Sequence, residues 1–234
     1  MSNLIKKVNI FLLVFIILIM NTVSAQVTLN QLEGREHDFD NTYTYFLKGP
    51  ELVCDGELIV LGDSFGFLFC EYINKGVNYV VHQGYDIGKI YKEFLPLIKK
   101  DEYKYAFLMI GPNDFMMQTD IYSFKTILQF IITELKLKGI DQVIVTDYCD
   151  PDYNVNMASI LFYSPIRCWQ YDRALKDVMN YNNLLYVPMT DLLLEYGRLP
   201  LDPVHPAKGL YNPLLERVEK VIENDKNMRK LNLP

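Results

Sequence analysis

The sequence predicts a three-layer α/β/α domain built on a five-stranded parallel sheet, and three observations carry that expectation. Five short apolar runs are uninterrupted by polar residues, as strands buried on both faces require. Longer stretches of helical period separate them. Strand and helix alternate along the chain, which is the pattern of crossover connections over a parallel sheet.

The strands come in order as Leu58 to Leu61, Tyr79 to Val81, Ala106 to Ile110, Val143 to Val145 and Leu184 to Val187. A helical stretch from Phe67 to Asn74 follows the first. Ile87, Ile90, Tyr91, Phe94, Leu95 and Ile98 then share one helical face, as do Ile121, Phe124, Ile127, Leu128, Ile131 and Leu135, with Gly139 as the stop. Asn212-Pro213 reads as N-cap and first-turn residue of a last helix whose face is Leu214, Leu215, Val218, Val221 and Ile222. Two stretches stand outside the alternation. Residues 26–56 are polar and aromatic without a period and are expected to wrap the domain edge. Residues 147–168 form a long connection after a strand, rich in aromatic residues, and are expected to line a substrate site.

The N-terminus predicts export. Lys6 and Lys7 precede a largely apolar run from Val8 to Met20, and Val23-Ser24-Ala25 offers small residues for a signal peptidase. The run falls short of the roughly 20 residues of a spanning helix, so residues 1–25 read as a signal peptide, with an uncleaved anchor as the alternative. The expected organisation is signal peptide 1–25, edge segment 26–56 and α/β domain 57–234, secreted or on the exterior of the cell envelope.

Half of the 234 residues are apolar and 22% are charged, which excludes a mostly disordered chain. The net charge is −6, and removing residues 1–25 takes away two lysines and no acid, moving it to −8. Nucleic acid is therefore not an expected partner. Cys54, Cys70, Cys149 and Cys168 permit two disulfides, for which spacing suggests Cys54 with Cys70 and Cys149 with Cys168; buried free thiols are equally compatible. No CxxC or His-rich cluster points to a metal site.

Chemistry concentrates at strand ends. Gly62-Asp63-Ser64 stands where the first strand turns into a helix, a position that exposes a serine beside free helical N–H groups. Of the three histidines, His37 lies in the aperiodic segment and His82 closes the second strand. His205 stands in Asp202-Pro203-Val204-His205-Pro206, where a carboxylate three residues ahead can hold Nδ1–H and leave Nε2 as a base. Gly84 follows the second strand and lets a backbone N–H approach a ligand. The third strand ends in Gly111-Pro112-Asn113-Asp114, where an asparagine amide can donate to an oxyanion.

Gly62-Asp63-Ser64, Gly84, Gly111-Pro112-Asn113-Asp114 and Asp202-Pro203-Val204-His205 together resemble the four blocks of the SGNH (GDSL-type) hydrolases, over about residues 57–225. The resemblance implies a flavodoxin-like α/β/α fold and hydrolysis of an ester, thioester or O-acetyl group with no cofactor or metal. It implies Ser64 as nucleophile, His205 as general base and then acid, and Asp202 as the group that orients His205. The oxyanion hole would combine the backbone N–H of Ser64, the backbone N–H of Gly84 and the Asn113 side chain. The second block departs from the family pattern, with His82 and Gln83 where an asparagine usually precedes the glycine, so Gly88 stands as the alternative to Gly84. The implied substrate is a small-molecule or glycan ester, with a lipid acyl ester or thioester as the alternative and a non-catalytic carbohydrate-binding protein as a third.

Overall fold

The computed structural model describes residues 44–46, 52–147, 165–196 and 205–231. The signal segment, most of the 147–168 connection, Cys149 and Asp202 lie outside the described residues. Those described all belong to one compact unit, Tyr43–Pro234.

The five parallel strands are β2 (Leu58–Gly62), β3 (Asn78–Val81), β4 (Tyr105–Met109), β5 (Gln142–Thr146) and β6 (Leu185–Val187). A three-residue strand, β1 (Thr44–Phe46), adds itself antiparallel to β3 at the sheet edge, inside the segment expected to wrap that edge. The sheet order is β1-β3-β2-β4-β5-β6. From β2 the chain crosses first to one side and then to the other, so β3 and β4 flank β2. A crevice opens outside the C-terminal ends of the strands at such a reversal.

Side-chain alternation explains why the strands are apolar throughout. Ile59, Leu61, Ala106, Leu108, Val143 and Val145 face one layer, and Leu58, Val60, Phe107, Met109 and Ile144 face the other. The first layer holds the helical segment over residues 87–97, α3 (Ile121–Leu137) and α4 (Pro165–Asn182). The second holds α1 (Ser64–Tyr72) and α6 (Tyr211–Leu231). Two short helices complete the set, α2 (Pro112–Met116) after β4 and α5 (Thr190–Tyr196) after β6.

Several local expectations change. The first helix begins at Ser64 rather than Phe67, because the Asp63 side chain caps it by accepting the N–H of Phe65 at 2.9 Å. The segment over 87–97 is not one α-helix: a short α-turn widens to a π-helix at Ile90–Phe94 and tightens to a 3-10 turn at Leu95–Leu97. Pro96 has no N–H to continue a ladder, and the wider turn keeps Ile90 and Phe94 in the core. The long connection ends at Pro165, where α4 begins.

Asn212 is not an N-cap. The 3-10 turn Lys208–Leu210 leads into α6 one residue earlier, at Tyr211. The Asn212 side chain instead accepts the N–H of Asn74 at 2.9 Å and donates to the carbonyl of Tyr72 at 3.4 Å, closing the far end of α1. Cys54 and Cys70 are unbridged thiols, Cys70 lying on the buried face of α1, and burial pushes the Cys54 thiol up to about 11. Cys168 is buried among the α4 core residues.

Candidate active site

The turn from β2 into α1 is set by a backbone constraint. A Cβ at Gly62 would stand 2.7 Å from the carbonyl oxygen of Met109 and 3.0 Å from Cα of Gly66, so only glycine lets the strand end, β4 and α1 meet this closely. The N–H of Asp63 donates to that same Met109 carbonyl at 3.0 Å. Asp63 is fully buried. Its capping bond then leaves Ser64 as the first residue of α1, partly exposed at the crevice.

His205 stands just ahead of the 3-10 turn that leads into α6. Its Nε2 is 2.9 Å from Ser64 Oγ, a hydrogen bond that joins residues 141 apart in sequence. The Phe65 ring lies against the imidazole, with centroids 5.2 Å apart and planes at 49°. A hydroxyl hydrogen-bonded to a part-buried imidazole is the arrangement that makes serine a nucleophile at neutral pH.

The residues expected as further oxyanion donors, Gly84 and Asn113, follow the two strands that flank β2. Gly84 follows β3 in an exposed turn with φ of +77°, where a Cβ would meet nothing within 4 Å; backbone conformation alone therefore calls for glycine here. Gly88 lies inside the short helix Ile87–Lys89. Asn113 is buried in the first turn of α2, and its Nδ2 donates to the carbonyl of Tyr85 at 3.1 Å. The neighbouring Asp114 carboxylate accepts the N–H of Ile87 at 3.1 Å. The structure thus joins Ser64 to His205 and places Gly84 and Asn113 on the loops after the two strands that flank β2.

Three residues of this edge had no assigned role from sequence. Burial pushes the Asp63 carboxyl up to about 8, aided by the negative charge of Asp114 and opposed by the N–H groups of Phe65, Asn113 and Gly111. Burial likewise raises Asp114 to about 7, opposed by hydrogen bonds from Thr119 and Ile87. Both stand in the quoted motifs, so their identity was visible and their burial was not. The third is Tyr85, whose ring stacks on His82 at 3.9 Å and on Phe94 at 5.3 Å. Nothing in a sequence of single aromatics signals such a column.

Beside Phe65, a small recess of about 10 Å³ is lined by Met109, Ile110, Pro112, Thr146, Asp147 and Met189. Asp147 is fixed there by the N–H groups of Met189 at 2.6 Å and Thr190 at 3.1 Å and by the hydroxyl of Tyr186 at 2.9 Å. Among the described residues, no three His, Cys, Asp or Glu side chains are grouped to hold a metal, and no helix is long and apolar enough to cross a membrane.

No protein-family model matches the chain, and no curated protein does. Solved structures do match. A psychrotrophic esterase from Pseudoalteromonas sp. is similar at 14% identity and a TM-score of 0.54, covering 73% of this chain and 98% of its own. A lipolytic protein of the G-D-S-L family from Veillonella parvula is similar at 18% identity and a TM-score of 0.52, covering 70% and 96%. An acetylxylan esterase from Geobacillus stearothermophilus, solved as a catalytic mutant, is similar at 15% identity and a TM-score of 0.50, covering 76% and 96%.

Proposed function

Because the chain has the fold of the SGNH (GDSL-type) hydrolases, we propose that it is an exported serine ester hydrolase, a carboxylesterase or O-acetyl esterase acting on a small-molecule or glycan ester. The observation that carries this reading is the 2.9 Å hydrogen bond between Ser64 Oγ and His205 Nε2 at the crevice. Fold alone does not give activity; the pairing of a hydroxyl with an imidazole is what supports it here.

In this reading Ser64 Oγ attacks the ester carbonyl carbon while His205 Nε2 takes the hydroxyl proton. The carbonyl electron pair moves onto oxygen, and the backbone N–H groups of Ser64 and Gly84 and the Asn113 amide receive the oxyanion. Collapse expels the alcohol, which leaves with the proton from His205, and an acyl-serine remains. Water then attacks with His205 again as base, releasing the acid and restoring Ser64. Asp202, three residues before His205, is the group assigned to orient the imidazole through Nδ1–H.

Export rests on Lys6, Lys7 and the apolar run to Met20. The short-acyl reading is supported by the likeness to an acetylxylan esterase. The test is turnover of p-nitrophenyl esters of increasing chain length by the wild type and Ser64→Ala. Highest kcat/KM on acetate, lost in the variant, supports the proposal. A rate that climbs toward long chains turns it to lipid esters, and turnover that survives Ser64→Ala overturns it.

A further inference from the structure

The two oxyanion donors furthest from the helix, Gly84 and Asn113, sit on different loops, and one residue touches both. Tyr85 follows Gly84 directly. Its carbonyl accepts one N–H of the Asn113 amide at 3.1 Å. An amide nitrogen carries two N–H groups in one plane, so fixing the first sets the direction of the second.

The Tyr85 ring is held just as firmly. It lies between the imidazole of His82, 3.9 Å away and inclined at 27°, and the ring of Phe94, 5.3 Å away and inclined at 20°. Phe94 is buried in the core, so the column is anchored at its inner end. The Tyr85 hydroxyl donates to Glu93 at 2.6 Å, and the Lys89 ammonium stands 5.3 Å from the ring centroid. His82 and Tyr85 therefore clamp the turn from both sides of Gln83 and Gly84. That turn needs a clamp, because Gly84 is exposed, has a positive φ and offers no side chain to pack. The Ile87 N–H on Asp114 ties the same two loops a second time.

We propose that Tyr85 is the positioning residue of the oxyanion hole: its stacked ring fixes the turn that carries the Gly84 N–H, and its carbonyl fixes the roll of the Asn113 amide. This rests on the ester-hydrolase reading above. Donors held before reaction need no reorganisation when charge develops, which is where such sites gain rate. Loss of the clamp therefore lowers kcat while leaving ground-state binding in place.

The experiment compares wild type, Ser64→Ala, Tyr85→Ala, Tyr85→Phe and His82→Ala on p-nitrophenyl acetate, with hydrogen exchange of residues 82–88. Tyr85→Ala is expected to lower kcat about tenfold to 100-fold, short of losing both donors outright, with KM within about threefold and faster exchange over the segment. Tyr85→Phe keeps the ring and the carbonyl and is expected within about threefold of wild type. His82→Ala removes the outer ring and its 2.6 Å hydrogen bond with the Gln83 carbonyl while leaving the buried Phe94 in place, so it disturbs the core less than Tyr85→Ala, and it is expected to lower kcat about threefold to tenfold. The proposal is overturned by Tyr85→Ala with kcat within about twofold of wild type, by a loss that Tyr85→Phe shares in full, or by a change confined to KM. Should Tyr85→Ala fail to fold, unchanged kcat and exchange in His82→Ala overturn it. Wild-type turnover that is absent or independent of Ser64 sinks the ester-hydrolase reading and this inference together, an outcome distinct from Ser64-dependent turnover that ignores Tyr85.

Discussion

The carboxyls of Asp63 and Asp114 are both buried beneath the same sheet edge, and the charge on Asp114 raises Asp63 beyond what burial alone does. Each group ordinarily titrates near 3.8, and in the folded chain the two are pushed up to about 8 and about 7. Between those values the unfolded chain holds fewer protons than the native one. Stability contributed by these groups is therefore complete below about pH 4 and falls as pH rises toward 8. Melting temperature across pH 5 to 8 should decline, and Asp63→Asn with Asp114→Asn should flatten the decline. An equal slope in the double variant would remove these carboxyls as its cause.

In the ester-hydrolase reading Ser64 and His205 act as one unit, so Ser64→Ala and His205→Ala should each lower kcat by about 10³ or more. The Ser64→Ala protein should melt within about 1 °C of wild type, since one part-exposed hydroxyl leaves the core unchanged. Steady-state kinetics beside thermal melts check both. The double variant should be little worse than either single one, and additive losses would argue against a shared step.

Asn113→Ala removes a donor expected to be worth about 10²–10³ in kcat. It also frees the carbonyl of Tyr85. A loss below about tenfold would count against Asn113 as an oxyanion donor.

Gly62 and Gly84 are glycines for different reasons, and substitution separates them. At Gly62 any Cβ collides with backbone 2.7 Å away, so Gly62→Ala should destabilise by about 1–3 kcal/mol. At Gly84 the surroundings are open and only φ is demanding. Gly84→Asn should therefore be tolerated better than Gly84→Val, as asparagine accepts the left-handed region and a β-branched residue does not. Denaturant titration of the three variants decides it, and a well-tolerated Gly62→Ala would contradict the close contact.

Asn212→Ala removes the side chain that closes the end of α1 and should cost about 1 kcal/mol. Calorimetry on a background with intact Ser64 would show it, and no change would mean that water serves Asn74 equally well.

The sheet was legible because its strands are buried on both faces, leaving continuous apolar runs that few other structures produce. Leu58 to Leu61 and Val143 to Val145 were readable for that reason alone. The short pieces were not: β1 and α2 span three and five residues and leave no period to detect. Asn212-Pro213 misled because the pair satisfies the local rule for a helix start, whereas the side chain answers to Asn74, 138 residues away. At the site, Ser64 stood out by its strand-end position and His205 by its place three residues after Asp202, and the structure joins the two. The burial of Asp63 and the stacking of Tyr85 are tertiary facts that no local pattern signals.

The hydrogen bond between Ser64 and His205 has a bearing on biogenesis. A nascent chain that has passed residue 113 carries Ser64, Gly84 and Asn113, yet Ser64 still lacks the imidazole that stands 2.9 Å from it in the folded protein. The imidazole arrives only when α6 docks against α1, the contact that Asn212 fastens. The pairing of hydroxyl and imidazole thus waits on α6, and a chain that stops short of residue 205 holds Ser64 without its partner.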